Sequence, residues 1–264
     1  MSEVSIDKRG DNILEIFNMF NLSLVQWLWI IVAACCIGFS KTGISSFTMP
    51  AIPIIAAVYG GKGSTGMILP MLLVGDVFAL YYYNRHAEWD NIKKLLPWTI
   101  VGLILGVIVG NYVSDKQFKI FIAISVLICL IILIYTEKQG ENLKVPKNPF
   151  VYALTGILCG FTSMIGNAAG PIFSVYLLAK GFKKNDFLGT SAWFFFIVNL
   201  TKVPLQILFW NNIPIKTVFL TVIMIPAIGI GAVLGVVVIK RLNEKLFHKL
   251  ILVVTAIAAI KLLM

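Results

Sequence analysis

Six stretches of this chain, at about 65–83, 94–113, 118–136, 187–209, 215–239 and 246–264, are apolar over close to 20 residues each. That is the length a helix needs to cross a hydrocarbon core of ~30 Å. A chain of 264 residues cannot bury six such runs in a core of its own, so the surrounding solvent must be lipid. Composition agrees: 59% of residues are hydrophobic and 13% charged, with a mean hydropathy of +0.91. Soluble domains carry roughly 45–50% apolar and 25% charged residues. The sequence therefore predicts an all-α integral membrane protein in contact with a lipid bilayer.

The first 21 residues hold Glu3, Asp7, Asp11 and Glu15 and lack a basic start with a small-residue cleavage site. They are expected to remain as an extramembrane or interfacial segment, not a cleaved signal peptide. The run NILEIFNMFN in it suits a short amphipathic helix lying at the interface. Cys35, Cys36, Cys129 and Cys159 all fall in apolar segments and are expected as packed thiols, not a disulfide framework. A net charge of +10 raises the question of nucleic acid. The lysines occupy short loops between apolar runs, where membrane orientation accounts for them and a nucleic-acid partner is not expected.

Two further regions, 22–59 and 150–180, are apolar at both ends and interrupted by polar, glycine-rich stretches. Each either crosses once or enters and returns. If each enters and returns, the loop lysines and arginines divide 13 against 7 between the two sides, with Lys41 and Lys202 left inside apolar segments. The positive-inside rule favours that arrangement, with both termini outside and residues 137–149 in the cytoplasm.

The interruptions resemble one another. GFSKTGISSFTMP (38–50) aligns with GFTSMIGNAAGP (160–171), and each proline is followed ten residues later by a glycine, Gly60 and Gly181. Gly66 and Gly189 open the next spans, Asp76 and Asn199 follow ten residues on, and GLILGVIVG (102–110) is matched by AIGIGAVLG (227–235). The expected organisation is a first repeat at 22–136, a cytoplasmic linker at 137–149 and a second repeat at 150–264. Each repeat has three full transmembrane helices plus two short or broken ones that form a midplane break. An odd number of elements per repeat gives the halves opposite orientation, the inverted arrangement of secondary transporters, whose breaks mark the substrate site.

The breaks carry the chemistry. Pro50 suits the first turn of a half-helix over 50–59, and Pro171 repeats the device, so two half-helix N-termini would face one another near midplane. Such termini hold anions. Ser40, Lys41, Thr42, Ser45, Ser46 and Thr48 in the first break, with Ser163, Gly166 and Asn167 in the second, are the expected substrate-binding residues. Lys41 either binds the anion directly or snorkels or pairs with Asp76. Asp76, the one acid within an expected span, either carries a coupling proton or pairs with a lysine; Asn199 and Lys202 belong to the same group of coupling or structural residues. Thr190 and Ser191 are read as packing residues. Trp27, Trp29, Trp89, Trp98 and Trp210 are read as interfacial anchors. His86 and His248 have no partners at metal-ligand spacing, and no P-loop, CxxC or nucleophile elbow is present, so neither metal, cofactor, ATP-driven transport nor enzyme activity is expected.

Glycine-rich breaks ending in proline in both halves, each followed by a Gly-initiated span, together with the turn YYYNRHAEWD (81–90), resemble the sulfite exporter TauE/SafE family over residues ~22 to 264. The resemblance implies a multi-pass transporter, an exporter in particular, in the bacterial plasma (inner) membrane. Its substrates would be small sulfur-containing anions such as sulfite or organosulfonates. Apart from the resemblance, a coupling proton or sodium ion is a candidate partner, through Asp76. Lys41, Thr42 and the serines stand where that family commonly has a glycine cluster. The alternatives are an anion channel or a transporter of another small organic acid on the same scaffold.

Overall fold

The computed structural model describes residues 20–43, 45–139 and 149–241. The described chain is built of helices in this order: α1 (Leu24–Thr42), α2 (Ala51–Tyr59), α3 (Gly61–Tyr83), α4 (Trp89–Tyr112), α5 (Asp115–Gln139), α6 (Pro149–Gly166), α7 (Gly170–Ala179), α8 (Lys184–Leu205) and α9 (Ile215–Arg241). A 3₁₀ turn, Ser45–Thr48, lies between α1 and α2, and α8 runs on into a π turn, Gln206–Trp210. Six helical segments, all but the two half-helices and α5, meet the length and composition of a membrane span among the described residues. The expected N-terminal amphipathic helix and the last apolar run, 246–264, lie outside the described residues, as does the linker from 140 to 148.

Each interrupted region is an unequal pair. α1 and α6, at 19 and 18 residues, span about 27–28 Å at 1.5 Å per residue, whereas α2 and α7, at 9 and 10, reach about half that. The half-helices end alike. Gly60 and Gly181 have φ of +83° and +76°, the left-handed backbone that lets a helix stop without strain in a side chain. Ser23 starts α1 with a capping box, its hydroxyl accepting from the Gln26 N–H while the Gln26 side chain accepts from the Ser23 N–H. Pro204 sits where α8 passes into the π turn, since a proline removes one i→i−4 bond and the next turn must widen.

The most extensive helix pairs are α4 with α6 and α1 with α9. Both are made by small residues. A Cβ on Gly102 would sit 2.2 Å from the Ile157 carbonyl oxygen, and one on Gly160 would sit 2.0 Å from that of Thr99. In the other pair, a Cβ on Gly38 would meet the Ile228 oxygen at 1.9 Å, and one on Gly231 the Cys35 oxygen at 2.1 Å. Backbones this close gain dispersion contacts, which hold helices together in lipid, where burying apolar surface brings no advantage. Two of these pairings correspond when the halves are exchanged, although α1 packs on α3 while α6 makes no comparable contact with α8. The first helix of each half packs on the fourth of the other, and the two third helices, α3 and α8, pack on each other.

The outward faces are apolar and open, as with Ile100, Ile104 and Ile108 on α4 and Val218, Val222 and Val233 on α9. Trp29, Trp89 and Trp98 are exposed in the way interfacial anchors require, but Trp27 and Trp210 are not. Trp210 packs edge-on against Phe118 and donates its indole N–H to the Val107 oxygen. Trp27 packs on Phe20. These two are core residues, because the helices beside them leave no lipid-facing path for an indole.

Candidate functional site

The two breaks meet at a partly open cavity lined largely by polar side chains. Its walls come from the end of α1 (Ser40, Lys41), the 3₁₀ turn (Ser45, Thr48), α3 (Leu72, Asp76), the second break (Ser163, Asn167, Ala169, Gly170) and α8 (Ser191, Ala192, Phe195, Asn199). The turn leans directly on the second half-helix, since a Cβ on Gly170 would lie 3.0 Å from the Ser45 carbonyl oxygen. Ser40 and Thr48 share a hydrogen bond of 2.5 Å that ties the end of α1 to the turn.

Charge is concentrated along one edge. The Lys41 ammonium lies 2.6 Å from Asp76 Oδ1 and 4.9 Å from the centre of the Phe195 ring. Asn199 Nδ2 donates to Asp76 Oδ2 at 2.6 Å, so both carboxylate oxygens are engaged. Lys202 is fully buried behind the wall and donates to Asn167 Oδ1, Ser163 Oγ and Asn199 Oδ1. The network therefore runs Lys41, Asp76, Asn199, Lys202, Asn167, with two ammonium positions and one carboxylate. Asp76 and Lys202 are the charged side chains among the buried described residues, and Lys41 is 10% exposed.

Two donors along this wall have no partner. Asn167 Nδ2 and Ser191 Oγ are buried and without a hydrogen bond among the described residues. Asn167 holds φ at +52°, a left-handed conformation that asparagine tolerates better than most side chains. That turn ends α6 and starts α7, and it places the amide between Lys202 and the cavity. An unpaired buried donor costs about 1–3 kcal/mol, so each is a position prepared for an acceptor.

The residues marked by sequence do not all arrive here. Ser40, Lys41, Ser45, Thr48, Ser163 and Asn167 line the cavity, with Asp76 and Asn199. Thr42 does not: it is fully buried and its hydroxyl donates to the Ala232 oxygen of α9 at 2.6 Å. Gly166 is likewise outside, against Ile122 and Ser125 of α5. The Ser46 side chain lies outside the described residues. The two half-helix ends also differ. The start of α7 lines the cavity, but Ala51 and Ile52 at the start of α2 are buried away from it, and Pro53 removes a donor from that first turn. Two facing N-termini bracketing one ligand are thus replaced by one N-terminus and a hydroxyl-bearing turn. Ser191 and Phe195 were missed as lining residues. Their place eight and four residues before Asp76's counterpart Asn199 was not distinctive, since Ser191 reads equally well as packing between helices.

The family described as Sulfite exporter TauE/SafE matches residues 29–262, which takes in both breaks and every described helix of the cavity wall. The chain belongs to the sulfite exporter TauE/SafE family. It is a multi-pass membrane protein of a transporter family, built from helices. It also resembles the probable membrane transporter protein MamO of Paramagnetospirillum magneticum (strain ATCC 700264 / AMB-1), at 42% identity over 41 residues. That likeness covers 16% of this chain and 6% of the length of MamO. No solved structure matches the TauE/SafE chain described here.

Proposed function

We propose that this protein is a secondary transporter, in the export direction, of a small sulfur-containing anion such as sulfite or an organosulfonate across the bacterial plasma membrane. The cavity between the two breaks is its binding site. The observation that supports this best is the charge inventory of the enclosed network. Lys41 and Lys202 stand against Asp76 alone, so whenever both lysines carry a proton one positive charge is left for a ligand to neutralise. Buried charge is stable only when paired, and a small anion in the cavity supplies the missing partner. The unpaired Asn167 amide and Ser191 hydroxyl supply hydrogen bonds, and the start of α7 adds the positive end of a helix dipole. The oxyanion group of a sulfonate or sulfite matches that set, while Leu72, Ala192 and Phe195 accept a small apolar portion.

Alternating access follows from the exchange of contacts between the halves. With the halves in opposite orientation, rocking the α1–α9 unit against the α4–α6 unit about the α3–α8 contact exposes the cavity to one side and then the other. Transport without catalysis is the reading, in keeping with the transporter family to which the chain belongs. A thermal-shift and calorimetric series with sulfite, thiosulfate, methanesulfonate, sulfate and short carboxylates tests it. Stabilisation and binding by sulfur monoanions, lost in Lys41→Ala, is the expected result; undiminished binding in that variant removes Lys41 from the site. Saturable counterflow in proteoliposomes separates a carrier from an anion channel.

A further inference from the structure

Lys202 is the charge in this network without a carboxylate of its own. Its Nζ is fully buried and donates to Asn167 Oδ1 at 2.5 Å, Ser163 Oγ at 3.3 Å and Asn199 Oδ1 at 3.4 Å. The charged groups facing it are Asp76 from α3 and Lys41 from α1, and these already pair with each other. The titratable groups of the neighbouring elements are neutral at physiological pH: Cys159 on α6 lies four residues before Ser163, while the hydroxyls of Tyr176 on α7 and Tyr83 on α3 donate to Asn91 and to the Thr42 oxygen. The inward face of α4, with Thr99, Leu103 and Val107, brings none. Asp186 and His86 belong to the far end of α8.

The chemical type of the three partners is informative. Two are amide oxygens, which only accept. The third is a hydroxyl, which accepts from an ammonium but donates to the lone pair of a neutral amine. The surroundings of Nζ therefore serve both forms: three donated bonds as –NH₃⁺, or two donated and one accepted as –NH₂. A carboxylate partner would have held the group in its charged form.

We propose that Lys202 takes up a proton when the anion enters and gives it back when the anion leaves, so that proton and anion cross the membrane together. This rests on reading the cavity as an anion site. In the step, the amine lone pair of Nζ accepts a proton delivered through water, and no other bond changes. Charge then balances in both states. Empty, Lys41 and Asp76 cancel and Lys202 is neutral; loaded, the Lys202 ammonium and the anion cancel. A carrier that turns over in both states moves no bare charge through the bilayer, which is the costly alternative. Lys202 is a positioning residue. Its ammonium holds Asn167 Oδ1, which leaves Asn167 Nδ2 to the ligand. Asp76 is poorly placed for the same work, since its two oxygens are held by Lys41 and Asn199.

Calorimetric titration of the detergent-purified full chain with the singly charged methanesulfonate and ethanesulfonate and with sulfite, repeated in buffers of different ionisation enthalpy, reads protons bound per anion bound. The sulfite value is corrected for that ion's own protonation. About one proton taken up per anion towards alkaline pH, with affinity falling about tenfold per pH unit there, is the expected result. Anion binding without proton uptake at any pH overturns the proposal and leaves the anion site standing. No binding of any of the three overturns both. The Lys202→Gln variant keeps an amide donor for Asn167 but carries no proton, so its weaker anion binding should be independent of pH. Persistent proton uptake in Lys202→Gln would also overturn the proposal. The wild-type measurement decides the matter if that variant does not fold.

Discussion

The Lys41 ammonium and the Asp76 carboxylate, 2.6 Å apart, join the end of α1 to the middle of α3 at the wall of the cavity. The acid is fully buried and the lysine 10% exposed, so the pair is protected from water and neither member can leave the other unpaired without penalty. Gly75 makes the approach possible: a Cβ there would lie 2.9 Å from the Lys41 side chain.

Removing one member should therefore cost more than removing both. Lys41→Met leaves Asp76 buried without its ammonium and should lower stability by about 3–5 kcal/mol. The double variant Lys41→Met/Asp76→Asn should recover most of the loss, because two neutral groups need no charge partner. Thermal unfolding in detergent reads both, and an equal loss in the double variant would deny that the pair acts as a unit.

Ser191 offers a cleaner separation of binding from folding. Its hydroxyl has no partner among the described residues, so Ser191→Ala should keep or raise the melting temperature. Anion affinity should fall about 5–10-fold, the worth of one hydrogen bond of about 1–1.5 kcal/mol. Titration calorimetry beside a melting curve checks both halves of the statement.

Asn167→Asp should separate the same two quantities in the opposite sense. Lys202 gains a carboxylate at Oδ distance and the fold is kept or strengthened, while the added negative charge fills the role of the ligand. Binding of methanesulfonate or sulfite should be lost at neutral pH. A variant that still binds with wild-type affinity would place the ligand elsewhere.

The glycine contacts predict a contrast between two conservative changes. Gly160→Ala drives a methyl to 2.0 Å from the Thr99 carbonyl oxygen, and α4 and α6 must separate, at about 1–3 kcal/mol. Gly63→Ala meets nothing within 4 Å on α3 and should be neutral or stabilise by about 0.5–1 kcal/mol. Melting temperatures of the two variants make the comparison.

Ser45 tests access. In a background with the four native cysteines replaced, Ser45→Cys should react with a membrane-impermeant thiol reagent, and sulfite-type anions should protect it. Unprotected labelling would mean that the turn is open to water but not part of the site.

Much of this molecule was legible as one-dimensional pattern. Apolar run length sets the spans, because each must match the bilayer whatever its neighbours are. The prolines and glycines locate the half-helices, because a missing N–H and a left-handed φ act on the backbone locally; Pro50, Gly60 and Gly181 stand where those rules put them. Lys41, Asp76 and Asn199 stood out because charge and amide groups are rare at membrane depth. Contact between distant segments was not readable in this way. Thr42 and Ser40 are two residues apart on one helix, yet one turns to α9 and the other to the cavity, since the helix rotates by about 200° between them. Lys202 read only as one of the coupling or structural residues and proves to be fully buried against Ser163 and Asn167 of the second break, which no spacing in the sequence announces. The sequence by itself determined that the chain is a set of membrane-length apolar helices and where two of them break, because those follow from local chemistry. Only the tertiary structure decided which breaks face each other and which donors are left unpaired, because those depend on how whole helices rotate and pack.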